Sequence, residues 1–164
     1  GRAKDLIIRS GHNIDPAMIE EALLSHPAVS FAGAIGQPDA KVGEMPCAYV
    51  ELVGNATVTT RELLEHAADR IAERAAVPKH VEILSELPKT AVGKIFKPDL
   101  RKLAIARVYD AALREAGLAV EVAEVFEDRK RGLTVRLRRR GEVDEAAVAH
   151  VLGEHTRPWE WARD

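Results

Sequence analysis

A lysine beside a glycine, with no acid near it in sequence, is a mobile cation. Lys94 has this form in the stretch Pro88-Lys89-Thr90-Ala91-Val92-Gly93-Lys94-Ile95-Phe96-Lys97. The glycine lets backbone come close to a ligand, and an ammonium on a polar, flexible loop can meet a phosphate or a carboxylate as a point charge. The stretch is not a P-loop, because Pro88 stands where the first glycine of that pattern belongs and no Ser or Thr follows Lys94. Spacing alone leaves a solvated surface lysine as the plain alternative. A second polar cluster, Ser10-Gly11-His12-Asn13, reads as an ordinary turn or as a spot where a missing side chain leaves room for a ligand.

Other residue types point away from chemistry. Cys47 is the single cysteine; it forms no internal disulfide, reads as a small core residue in a strand, and fits a reducing, cytoplasmic setting. The six histidines lack H-E-x-x-H or Cys/His ligand spacing, and no Ser/His/Asp set emerges, so neither a metal site nor a hydrolase triad is predicted. Arg129, Lys130, Arg131, Arg136, Arg138, Arg139 and Arg140 form a basic run without acids. With no interleaved aromatics and a net charge of −2, the run reads as the solvated face of a hairpin and predicts no nucleic-acid partner.

These groups need elements to hold them. The 164 residues, 46% hydrophobic and 30% charged, suit a folded chain with a proper core. The longest apolar runs, such as 29–35, are too short to span a membrane. The opening Gly1-Arg2-Ala3-Lys4-Asp5, without Met or a signal pattern, suggests a piece of a longer chain. Residues 6–9 read as a strand and 10–13 as its turn. Asp15-Pro16 starts a helix that buries Ile19, Ala22, Leu23 and His26, points Glu20 and Glu21 outward and stops at Pro27. Strands are predicted at 29–36 and 46–53 with a polar connection between them.

Thr59-Thr60-Arg61-Glu62 is a capping box for a helix with the stripe Leu63, Ala67, Ile71 and Ala75, ended by Pro78. A strand at 81–84 and a polar loop at 85–94 complete an α+β domain with helices packed on one small sheet. Beyond it, Asp99 is expected to cap a helix with Leu100, Leu103, Val108, Ala111 and Ala112 on one face and Gly117 at its end. A hairpin of 120–126 with 133–137 follows, then a helix capped by Asp144 that carries Val148, Val151 and Leu152, and Trp159 and Trp161 dock the tail. The domains expected are 1–97 and a helix-hairpin-helix extension, 98–164.

Taken together, three ordered motifs carry a resemblance. They are Gly1-Arg2-Ala3-Lys4-Asp5 with the following apolar run and Gly11-His12-Asn13-Ile14-Asp15-Pro16, then Gly43-Glu44 before the strand holding Tyr49, then Glu86-Leu87-Pro88-Lys89-Thr90-x-x-Gly93-Lys94-Ile95. Residues 1–97 resemble the C-terminal domain of adenylate-forming enzymes: acyl-CoA synthetases, adenylation domains of peptide synthetases, and luciferase. The resemblance implies an AMP-forming acid–thiol ligase whose intact form uses ATP, Mg2+ and coenzyme A. Its partners would be a carboxylic acid and the N-terminal adenylation domain of the same chain.

The resemblance further implies that Lys94 is the adenylation lysine, that Arg2 and Lys94 contact nucleotide, that Lys4 and Asp5 form the hinge, and that Ser10, Gly11 and His12 line the coenzyme A channel. Asn13 replaces a frequent arginine, and Ala76-Val77 replace a frequent aromatic and basic pair; Lys41 and Lys79 are spare cations, either merely solvated or in reach of coenzyme A phosphates. Two alternatives stay open, a carrier-protein thiol as acceptor and a non-catalytic α+β binding module.

Overall fold

A computed structural model describes residues 5–163. The described residues fall into two compact units, one of 5–37 with 44–101 and the other of 38–43 with 102–163.

In the first unit, β1 (Ile7–Arg9) and β2 (His12–Ile14) pair antiparallel with Arg9 opposite His12, so only Ser10 and Gly11 form the loop. Their φ angles, 50° and 78°, are those of a type I′ turn, whose twist matches that of the flanking strands. The expected four-residue turn is therefore two residues long, and His12 and Asn13 belong to a strand. Helix α1 (Pro16–Leu24) starts as read: Asp15 accepts a hydrogen bond from the Ala17 N–H, and Pro16, Ile19, Ala22 and Leu23 are buried. Glu20, expected to point outward, instead accepts the Ala34 N–H at 2.9 Å. The reason is an edge. Ala34 lies on β3 (Val29–Asp39), the outer strand of the sheet, and its amide needs an acceptor from elsewhere.

Strands β3 and β4 (Gly43–Leu52) run through most of the predicted polar connection. Asp39 accepts the Lys41 and Val42 N–H groups at 2.9 and 3.0 Å, a side-chain turn that makes a longer loop unnecessary. The sheet order is β2-β1-β4-β3, and β5 (His80–Ile83) joins β4 in parallel, Cys47 opposite His80. Helix α2 (Thr60–Arg70) has its capping box, Thr59 with Glu62. It ends before the predicted stop: Ile71 is an extended C-cap whose side chain stays buried, and a 3-10 turn at Arg74–Ala76 leads to Pro78. Proline disfavours helical geometry only in the residue before it, here Val77, so Pro78 does not account for the helix ending at Arg70. Ile7, Ile14, Ile19, Leu23, Val50, Leu63, Ala67 and Val81 fill the core between helices and sheet.

Helix α3 (Lys97–Glu115) begins two residues before Asp99, which lies in its first turn rather than at its cap. Its buried face is Leu100, Ala104, Ile105, Tyr109 and Leu113, while Leu103, expected inside, is 45% exposed. Tyr109 sets that rotation. Its ring is buried and its hydroxyl donates to the Arg157 carbonyl and accepts the Arg157 N–H, both at 3.0 Å. Burial pushes the Tyr109 phenol up to about 12.

In the second unit β6 (Val120–Asp128) and β7 (Gly132–Arg139) form an antiparallel hairpin, and α4 (Glu145–Leu152) is capped by Asp144. A third strand, β8 (Trp159–Trp161), lies parallel to β7. The reading of the tail as a docking segment missed this strand, since three residues show too little alternation to mark one. Ile105, Tyr109, Leu113, Val135, Leu137, Val148 and Leu152 form this unit's core. Among the described residues no helix is long and apolar enough to cross a membrane.

Candidate functional site

The segment 88–96 is a loop, as expected, drawn into a short hairpin by one antiparallel bridge, and Lys97 after it begins α3. Lys89 and Ile95 form an antiparallel bridge, the Phe96 N–H donates to the Pro88 carbonyl at 2.8 Å, and the Thr90 N–H donates to the Lys94 carbonyl at 2.7 Å. Thr90 Oγ1 accepts the Lys94 N–H at 3.2 Å, and Gly93 adopts φ 86°, which favours a residue without Cβ at the tip. Local bonding thus fixes the backbone that carries Lys94.

The two lysines of this hairpin and Lys97 just after it differ sharply in company. Lys89 Nζ lies 2.8 Å from Glu51 Oε1 and 4.2 Å from the centre of the Phe31 ring. Lys97 Nζ lies 3.0 Å from Glu20 Oε2. Lys94 is exposed and makes no ion pair among the described residues. An ammonium held out on a fixed backbone with no carboxylate to quench it can bridge two anions that must approach each other. Glu51 also accepts the Leu87 N–H at 2.8 Å. The hydrogen bonds from Lys89 and then from Leu87 hold its carboxyl below the usual carboxylate range.

Ser10, Gly11 and His12 lie exposed at the β1–β2 turn, and a Cβ on Gly11 would meet nothing within 4 Å. The opening beside Gly11 faces away from the domain's own atoms. His12 Nε2 pairs with Glu73, and the Arg9 guanidinium donates to the Ala75 carbonyl at 2.8 Å, so this turn is tied to the 3-10 segment that precedes Pro78. Asp5 pairs with Arg101 of α3 at 2.9 Å. Arg2 and Lys4 lie outside the described residues. Sequence reasoning missed Glu20, Glu51, Glu73 and Arg101, because each acts across 36 to 96 residues of sequence or toward an edge that only the sheet defines.

The remaining candidates resolve as supporting structure. Cys47 is buried in β4. Arg136 pairs with Glu124 and with Glu160 and stacks on Phe126, and Arg131 bridges Asp128 and Glu160. Arg139 pairs with Glu145 and lies 3.8 Å above Trp161. Much of the basic run is thereby spent on neighbours within its own unit. The fold does bring His26 and His66 together, ring centres 4.8 Å apart, with Ser25 Oγ 2.8 Å from His66 Nε2. That hydroxyl donates to the Ala22 carbonyl at 2.6 Å, so the pair is a helix-end tie rather than an activated nucleophile.

The class of protein follows from these features and from comparison. Residues 18–94 match the family of the AMP-binding enzyme C-terminal domain. It is 52% identical over 107 residues to marinolic acid–CoA ligase of Pseudoalteromonas sp., covering 65% of this chain and 16% of that enzyme. It is 46% identical over 102 residues to a 2-succinylbenzoate–CoA ligase of Bacillus cereus, covering 62% of this chain and 20% of the ligase. Among solved structures, apo MatB from Rhodopseudomonas palustris superposes with a TM-score of 0.57 at 36% identity, over 62% of this chain and 20% of that one. The chain thus spans about a fifth or less of the length of these relatives.

Proposed function

We propose that this chain is the mobile C-terminal domain of an AMP-forming acyl-CoA synthetase, residues 1–97, with an added unit at 98–164. The observation that carries the reading is Lys94: alone among Lys89, Lys94 and Lys97, it stands exposed and makes no ion pair among the described residues. The names of the relatives, both CoA ligases, support the same class.

In the first half-reaction a carboxylate oxygen attacks the α-phosphorus of ATP, and the bond to the pyrophosphate oxygen breaks, giving acyl-AMP. Lys94 Nζ lies between the two anions and offsets the charge that builds as they close. In the second, a thiol of coenzyme A attacks the acyl carbon, AMP leaves with the bonding pair, and the thiol proton passes to solvent. Rotation about Lys4 and Asp5 exchanges the Lys94 tip for the Ser10-Gly11-His12 turn, where the space beside Gly11 admits the thiol arm. Arg2 joins Lys94 on the nucleotide. Mg2+ would enter with ATP in the intact enzyme, where it would neutralise charge on the phosphates.

The test separates the half-reactions in the full-length protein. Lys94→Ala should abolish carboxylate-dependent pyrophosphate exchange and spare thioester formation from supplied acyl-adenylate. Equal loss in both would refute the assignment.

A further inference from the structure

The hairpin that presents Lys94 is clamped at both ends by carboxylates from different elements. At its entry, Glu51 Oε1 at the end of β4 takes the Leu87 N–H and Lys89 Nζ, each at 2.8 Å, and Nζ also reaches the Leu87 carbonyl at 3.3 Å. Both side chains are about four-fifths buried, with 20% and 18% of their surface exposed. At its exit, Glu20 Oε2 of α1 holds Lys97 Nζ at 3.0 Å and the Ala34 N–H at 2.9 Å, with 16% and 20% exposure for the ion pair. Between the clamps, Ile95 lies so close to Gly33 that a Cβ there would come within 2.9 Å of it, and Leu100, just past the second clamp, would lie 2.7 Å away. The hairpin therefore has a grip on β4, one on α1 and one on the β3 backbone, and its tip is the part left to solvent.

We infer that Glu51 and Glu20 are positioning residues for Lys94, each immobilising one of the lysines that flank it and so fixing where its ammonium can be delivered. The inference rests on the adenylation role given to Lys94. The path is short: Glu51 holds Lys89, Lys89 bridges Ile95, and the neighbouring Thr90 binds both backbone groups of Lys94. A pair this shielded keeps its geometry better than an exposed ion pair, which solvent and salt dissolve. Loss of one carboxylate leaves the facing ammonium with little water and no partner, and the hairpin must shift to solvate it. A displacement of about 1 Å at a reacting centre lowers a rate by up to roughly 100-fold.

The experiment uses the full-length protein and reads the two half-reactions separately in Glu51→Gln, Lys89→Arg and Lys94→Ala. Glu51→Gln should slow pyrophosphate exchange by about 10- to 100-fold through kcat, with KM for ATP and for the acid changed less than about threefold and thioester formation from supplied acyl-adenylate unchanged. Lys89→Arg keeps the ion pair and should remain within about threefold of the parent in both. Equal loss in both half-reactions, or exchange left intact by Glu51→Gln while Lys94→Ala abolishes it, would overturn the positioning role alone. Exchange that survives Lys94→Ala would overturn the adenylation role and this inference with it. If Glu51→Gln fails to fold, Glu20→Gln makes the same measurement from the other clamp, with the same outcomes deciding.

Discussion

The Lys94 hairpin and the β6-β7-β8 sheet are the two cation-rich regions of the molecule, and they treat their charges in opposite ways. On the sheet, arginines sit in register with acids: Arg136 lies opposite Glu124 on β6 and Glu160 on β8, and Arg138 opposite Glu121. Around the hairpin, Lys89 and Lys97 are matched by carboxylates, and Lys94 at the tip makes no ion pair among the described residues. Partial exposure makes the arginine pairs individually weak, so their yield is orientation of the strands and solubility more than stability. The lesson is that density of charge marks neither region as a site. A cation marks one when its neighbours are neutralised, its backbone is fixed and it has been left unmatched.

The sharpest way to break this contrast is to remove one cation from each region. Lys94→Ala should lower the adenylation half-reaction by at least about 100- to 1000-fold, the scale for removing one preorganised group that stabilises developing charge, measured by pyrophosphate exchange. Arg136→Ala should leave that rate within about twofold. Its cost appears in the thermal unfolding of the second unit instead, on the order of 1 kcal/mol from two half-exposed ion pairs and the stacking on Phe126. A catalytic defect in Arg136→Ala would erase the distinction.

Gly11→Leu tests the other face of the first unit. Its φ of 78° costs a side chain about 1–2 kcal/mol in stability, and the added bulk should block thioester formation while pyrophosphate exchange survives. Unaltered thioester formation would remove Gly11 from the channel.

Acid titration sharpens the contrast at the clamp. Because the Glu51 pKa is depressed in the folded state, its contribution is complete above the ordinary carboxylate pKa and is lost as pH falls through the lower folded value. Glu51→Gln should therefore flatten the acid limb of the stability curve, read by circular dichroism across roughly pH 5 to 2. The smallest effect is at Ser10, a non-glycine residue at φ 50° in a type I′ turn. Ser10→Asn should raise the unfolding temperature by a degree or so, since Asn tolerates that backbone better. A fall would mean that the serine hydroxyl has a task of its own.

The sequence determined what is local and what repeats at short range. Asp15 before Pro16, Thr59 with Glu62, and Asp144 announced three helix starts because a cap needs only residues two or three apart. Gly117 at φ 71° ended α3 as read, and the string around Lys94 identified the cation itself. Tertiary structure decided everything set by residues far apart in the chain. The inward turn of Glu20 depended on β3 being an edge strand, the rotation of α3 on a hydroxyl meeting the backbone 48 residues later, and β8 on finding β7 as a partner. The same holds for the site: the string around Lys94 named it through a family resemblance, but that Lys94 makes no ion pair among the described residues became visible only once Glu51 and Glu20 were seen taking the lysines on either side. Such pairing is a property of distance in space, and one-dimensional pattern records distance along the chain.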